Sequence, residues 1–124
     1  MTTTVVNVVN LAAKLGSFTE HWSPKIVGEV NGQHVKVTKM QGEFVWHSHA
    51  NEDELFLVVK GRLVMQLRDK TLTINPGEFV VIPRGVEHCP TSDEEVHIVL
   101  IEPAGILHSG GVEDPRAVAD YERI

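Results

Sequence analysis

Apolar residues in this chain fall in short runs punctuated by Gly, Pro, Asn and Asp, which is the spacing of β-strands rather than of helices. Lys25–Val30 and His34–Met40 are β-branched runs separated by Asn31-Gly32. That link predicts a hairpin, because a type I′ turn needs positive φ at both central residues. Phe44–His49 reads as the next strand, and Glu54–Val59 is nearly all apolar, as in a strand covered on both faces. Beyond Gly61, Arg62–Arg68 alternates polar and apolar residues at period two. Asp69-Lys70 turns the chain into Thr71–Ile74. Asn75-Pro76-Gly77 and Pro83-Arg84-Gly85 bracket Phe79–Ile82, and Val96–Ile101 closes the series before Pro103. The expectation is an all-β sandwich or barrel. Pattern alone leaves Val8–Leu15 open between a short helix and an edge strand. After Pro103, Gly105, Gly110, Gly111 and Pro115 predict a surface-draped tail or a contact with a second subunit, with one or two helical turns over Ala117–Arg123.

A length of 124 residues predicts one domain, 1–124, with a barrel core at about 25–103. The net charge of −6 argues against nucleic acid and anionic membrane surfaces as partners. A single cysteine, Cys89, rules out an internal disulfide and suits a reducing compartment. The first residues have neither a basic n-region nor an apolar h-region, and no stretch reaches the length of a membrane span, so a cytoplasmic location is expected.

The histidines alter the picture. One segment reads Gly42-Glu-Phe-Val-Trp-His47-Ser-His49-Ala-Asn-Glu-Asp-Glu54, and Gly61 follows; a second reads Gly77-Glu-Phe-Val-Val-Ile-Pro83-Arg-Gly85-Val-Glu-His88. On a strand, His47 and His49 point to one face about 6–7 Å apart, close enough to share an ion. Glu54 shares parity with Phe56 and Val58, so its carboxylate is expected to face the interior. His88, just past a turn, supplies a third imidazole from another strand. Three imidazoles and a carboxylate suit one divalent transition metal, and iron, manganese, zinc, nickel and copper all accept such a set. A lone His is more often a surface or hydrogen-bonded core residue; the joint pattern at fixed offsets outweighs that reading here.

These residues resemble the two motifs of the cupin superfamily. His47, His49, Glu54 and Gly61 match the first, with Gly42 one residue closer than usual; Gly77, Pro83, Gly85 and His88 match the second, with Ser92 where Asn is typical. The chain is similar to small single-domain cupins of the kind loosely labelled mannose-6-phosphate-isomerase-like. The resemblance implies a conical double-stranded β-helix (a jelly-roll barrel), a metal in its mouth and a homodimer. Leu55, Leu57 and Val59 face away from the barrel interior and need cover, which is compatible with a dimer.

Among the remaining candidates, His97 shares the last strand with Val99 and Ile101, and with Glu54 it is a weak catalytic candidate as a proton carrier. His34 is expected to face solvent; His21 and His108 carry no assigned role. Cys89 and Trp46 read as packing residues. Phe44, Phe56 and Met65 are candidate cavity-lining residues, and core filling explains them equally well. No phosphate cradle or nucleophile elbow is present. Three nitrogens and one oxygen leave two positions open on an octahedral ion, which predicts a small-molecule metalloenzyme, a dioxygenase with iron or an isomerase or other Lewis-acid enzyme with zinc, nickel or manganese. The alternatives are a small-ligand-binding or metal-stiffened module without turnover, and a metal-free barrel.

Overall fold

Nearly every β-branched run becomes a strand in the computed structural model, which describes residues 6–105, 109–117 and 120–124. The strands are β1 (Lys25–Val30), β2 (Gln33–Glu43), β3 (Glu54–Lys60), β4 (Leu63–Leu67), β5 (Thr71–Ile74), β6 (Phe79–Ile82), β7 (His88–Pro103) and β8 (Glu122–Arg123). The β1–β2 link has the expected conformation, with φ of 49° at Asn31 and 77° at Gly32. The sheet path is β5-β4-β7-β2-β1-β8, and β3 pairs with both β7 and β6.

β7 is the spine of this jelly roll. Along one edge it pairs with β2 over its length; along the other, its first part pairs with β4 and its second with β3. Alternation along these strands sorts side chains onto two faces. Met40, Phe56, Val58, Leu63, Met65, Val96, Ile98 and Leu100 fill the interior. Val37 and Val99 point the other way, against Leu15 and Phe18. That outer cluster is closed by α1 (Leu11–Leu15), so Val8–Leu15 resolves as a helix over its second half. Asn10 caps it, its Oδ1 accepting from Ala13 N at 2.9 Å. Leu57 and Val59 pack on this cluster, and the chain's own helix therefore supplies cover that a second subunit was expected to give.

Three expectations need correction. Phe44–His49 is not a continuous strand: His47 alone bridges to His88, and the backbone ties to β7 are Phe44 N to Pro90 O and the mutual His47–His88 pair. The Ala117–Arg123 helix is absent where it can be seen. Glu122–Arg123 instead add to the free edge of β1 as a short parallel strand, and residues 118–119 lie outside those described. The last strand begins at His88 and not at Val96, since Pro90 and the polar run Thr91–Glu95 conceal it in the sequence. The tail does drape over the surface, but onto this chain: a Cβ built on Gly110 would lie 2.4 Å from Ser48 O, so the tail presses on the His47-Ser48-His49 segment.

Candidate metal centre

Each of the four residues is held from the backbone. His47 and His88 exchange N–H···O bonds of 3.0 and 2.9 Å, and Gly85 N donates to His49 O at 2.8 Å. Glu54 opens β3 opposite Ile82, and Arg84 N donates to Asp53 Oδ1 at 2.9 Å, which ties the Pro83–Gly85 turn to the loop before Glu54. One ligand atom from each of His47, His49, Glu54 and His88 then lies within 4.8 Å of the others, and all four residues are buried.

The unpaired atoms test whether these groups suit a cation. Nδ1 of His47 lies 2.9 Å from Val45 O and Nδ1 of His88 lies 3.0 Å from Val86 O. A carbonyl only accepts, so Nδ1 carries the hydrogen in both rings and Nε2 presents a bare lone pair. Nε2 of His47, His49 and His88 and Oε1 of Glu54 are buried without hydrogen-bond partners. Four orphaned acceptors turned toward one another are costly unless a cation lies among them. Glu54 Oε1 is 3.4 Å from both His49 Nε2 and His88 Nε2, near the roughly 3 Å between two donors bound at right angles and ~2.1 Å from one ion. The cluster is able to bind a divalent metal.

Electrostatics support the same assignment. Burial, and then the neighbouring His88, lower the His47 pKa to about 4, so this ring is neutral and ready to ligate at physiological pH. Glu54 is fully enclosed; burial opposes its charge, but the neighbouring Glu102 carboxyl and the His49 and His88 imidazoles outweigh it and hold its pKa below the usual carboxylate range. Burial and then the Glu54 charge push Glu102 well above that range. Glu102 thus keeps its proton beside the Glu54 charge, while its Oε1 accepts from Lys36 Nζ at 2.7 Å and its Oε2 has no hydrogen-bond partner. Lys36 and Glu102 have no solvent exposure.

Beside the cluster lies a cavity lined by Trp22, Pro24, Thr38, Met40, Phe44, Phe56, Pro90 and Leu100, with His47 and Glu54 forming its polar wall. Phe44 and Phe56 line it as expected; Met65 belongs to the core beyond it.

The cupin domain family model matches residues 33–102. This chain is a cupin. It is 34% identical over 80 residues to the uncharacterized protein YdbB of Bacillus subtilis, across 64% of this chain and 71% of that one. A cupin-2 domain containing protein from Shewanella frigidimarina shares 47% identity, covering 77% of this chain and 94% of that one with a TM-score of 0.77. Protein NMB1881 from Neisseria meningitidis shares 31% identity over 79% of this chain and 100% of that one, with a TM-score of 0.72.

Other histidines of this cupin lie elsewhere. His97 is adjacent in β7 to the inward-facing Val96 and Ile98, so it points to the outer face, where Nε2 meets Glu95 Oε1 at 2.8 Å. The second oxygen of Glu95 lies 2.7 Å from His21 Nε2. His97 thus faces away from the cluster. His34 is buried, not solvent-facing, with Nε2 3.0 Å from Glu29 Oε1. His108 lies outside the described residues. Cys89 is a fully buried thiol against Phe44 O at 3.6 Å, and Trp46 packs under the Arg68 guanidinium at 3.9 Å. Ser92, at the position where Asn is typical, ties its hydroxyl to Arg62 O at 3.2 Å. Glu102, Lys36 and Thr38 were the site residues to find by parity: each lies on the inward side of an alternating strand.

Proposed function

We propose that this cupin is a metalloenzyme for a small molecule, with His47, His49, Glu54 and His88 holding one divalent transition metal. What carries the reading is the convergence of four buried, partnerless ligand atoms beside an apolar cavity. When bound, such an ion supplies Lewis-acid polarisation, or dioxygen chemistry if it is iron, at positions the protein leaves open. The chain's own groups do the rest. The carbonyls of Val45 and Val86 fix the tautomer and aim of two rings. Glu102, anchored by Lys36, stands protonated beside the Glu54 charge. The apolar walls exclude water and strengthen every electrostatic contact inside.

A specific observation favours the alternative, a ligand-binding module without turnover. Apart from the two cluster residues, Thr38 provides the cavity's polar side chain among the described residues, so no separate acid or base lines it. Elemental analysis of untagged protein, followed by aerobic and anaerobic turnover screens at known metal content, separates the two. Stoichiometric metal without turnover across a broad panel supports the module; protein that never takes up metal rejects both.

A homodimer remains part of the proposal. Phe79, Val81 and Ile101 are exposed on the outer face of β6, β3 and β7, where Val81 and Ile101 flank Leu55 in register. Light scattering on wild type and Phe79→Lys tests it. The expected result is a dimer that the substitution weakens.

A further inference from the structure

We infer that the cavity beside His47 and Glu54 selects a compact molecule with an apolar body and a metal-binding oxygen group, and that Trp22 is the roof which sets the size of that body. The inference rests on the metalloprotein reading above and deepens it.

The cavity wall is aromatic and aliphatic: Trp22, Met40, Phe44, Phe56 and Leu100 face it, and no lysine or arginine does. A phosphate or a polyhydroxylated sugar would lose its hydration there with few groups to replace it. One hydroxyl breaks the apolar wall. Thr38 is fully buried, and its Oγ1 has no hydrogen-bond partner. A ligand with a single hydrogen-bonding group beyond its metal-binding end would satisfy it.

The free volume is only about 10 Å³, room for about one water. Any organic ligand must therefore displace a wall, and one wall is built to move. Trp22 belongs to the irregular segment between α1 and β1, and its φ is 58°, a left-handed conformation that is an outlier for a bulky side chain. Such conformations persist where the surroundings over-determine them, and they cluster at ligand clamps. Here Trp22 N donates to Lys39 O at 2.8 Å and Nε1 donates to Gln41 O at 3.1 Å, while the ring stacks on Phe44 at 4.6 Å. The Arg116 guanidinium, held by Asp114, lies 5.4 Å from the Trp22 ring and 4.9 Å from Phe44. The roof is latched at Trp22 itself, and an apolar ligand body would take the contacts that the ring gives up.

The test uses zinc-loaded full-length protein, with acetohydroxamate and benzohydroxamate as probes that share one metal-binding group and differ in body. In Trp46→Phe, which leaves Trp22 as the sole tryptophan, fluorescence reports the roof; calorimetry gives affinity in every variant. Benzohydroxamate is expected to bind at least tenfold more tightly than acetohydroxamate and to shift the Trp22 emission. That preference should shrink stepwise in Trp22→Leu and Trp22→Ala, and the Leu variant retains enough apolar volume to fold if the Ala variant does not. Equal affinities, a preference untouched in both variants, or tighter binding of tartrate than of benzohydroxamate would overturn the inference while leaving the metal reading intact. Zinc-loaded protein that binds neither hydroxamate would overturn the inference alone, and protein that takes up no zinc would overturn the metal reading with it.

Discussion

The contact between the tail and the metal segment yields a sharp prediction through Gly110→Ala. The new Cβ would stand 2.4 Å from Ser48 O and 3.2 Å from both Cβ and Cδ2 of His47, on a backbone with φ of 64°. Gly111 is the internal control. Its φ is 83°, yet nothing lies within 4 Å of a Cβ built there. Gly111→Ala therefore costs only the left-handed backbone, about 1–2 kcal/mol. Gly110→Ala adds steric overlap with backbone and ring, a further 1–3 kcal/mol or about that. At roughly 4 °C per kcal/mol for a chain of this size, the control should lower Tm by about 4–8 °C and Gly110→Ala by about 8–20 °C.

Melting alone could mislead if the tail peels away instead of straining the barrel. Metal affinity covers that case, because Cδ2 of His47 adjoins the Nε2 lone pair offered to the ion. Whether the ring is pushed or the tail lifts its Arg116 from Phe44 and Trp22, the support around His47 changes, and affinity should fall about tenfold or more against the control, the range seen when groups supporting a ligand are lost. Circular dichroism melts and competitive titration with a metal indicator would read both quantities. Indistinguishable Tm and affinity in the two variants would refute the claim that the tail bears on the metal segment.

Three further outcomes follow from the site. His49→Ala should lose roughly a hundredfold or more in metal affinity and keep a β-rich spectrum; unfolding of this variant where metal-stripped wild type stays folded would show more than a ligating role. In metal-free protein, the unfolded chain takes up a proton at His47 near pH 6.5, whereas the folded chain resists until about pH 4. The unfolded state thus binds more protons across that window, and stability must fall as pH drops from 6.5 to 4, by on the order of 3 kcal/mol from this group. Urea titrations of wild type and His47→Gln should diverge over that range, and parallel curves would contradict the assignment. Lys36→Met, which strips the hydrogen-bond donor from a wholly buried, protonated carboxyl, should cost about 1–3 kcal/mol in urea denaturation; a variant as stable as wild type would mean the pair is not holding the interior together.

Much of the architecture could be read from the chain because two local rules act within one strand. Turn chemistry at Asn31-Gly32 and alternation at Glu54, Phe56 and Val58 need no knowledge of distant partners. The same rules fail where tertiary context decides. The loop of Phe44–His49 has strand-like composition, but its backbone hydrogen bonds to β7 come at Phe44 and His47 instead of forming a ladder. Glu122–Arg123 have no strand signal, yet the open edge of β1 recruits them, with Ile124 N donating to Ile26 O at 3.1 Å. His34 follows a turn and would ordinarily be wet, but it shares the inward side of β2 with Lys36 and Thr38 and lies opposite Glu102 on β7, and its Nε2 is 3.0 Å from Glu29 Oε1.

Glu102 and Lys36 mark the deeper limit. Alternation already turns each inward: Lys36 is in phase with Thr38 and Met40, and Glu102 with Leu100 and Ile98. A charged residue on an apolar face normally counts against the assignment of that face. The register resolves it, since β2 and β7 run antiparallel with Lys36 opposite Leu100 and His34 opposite Glu102, which brings an inward lysine within 2.7 Å of an inward carboxyl. Neither strand alone contains that fact. Once paired, the two polar residues lie beside Glu54 in the interior, while Trp22 and Phe44 line the cavity. A cup that is polar on one wall and apolar on the other offers a bound cation to ligands whose bodies shed water. The ligand set says that a metal fits; the placement of these uncelebrated side chains is what would govern which molecule meets it.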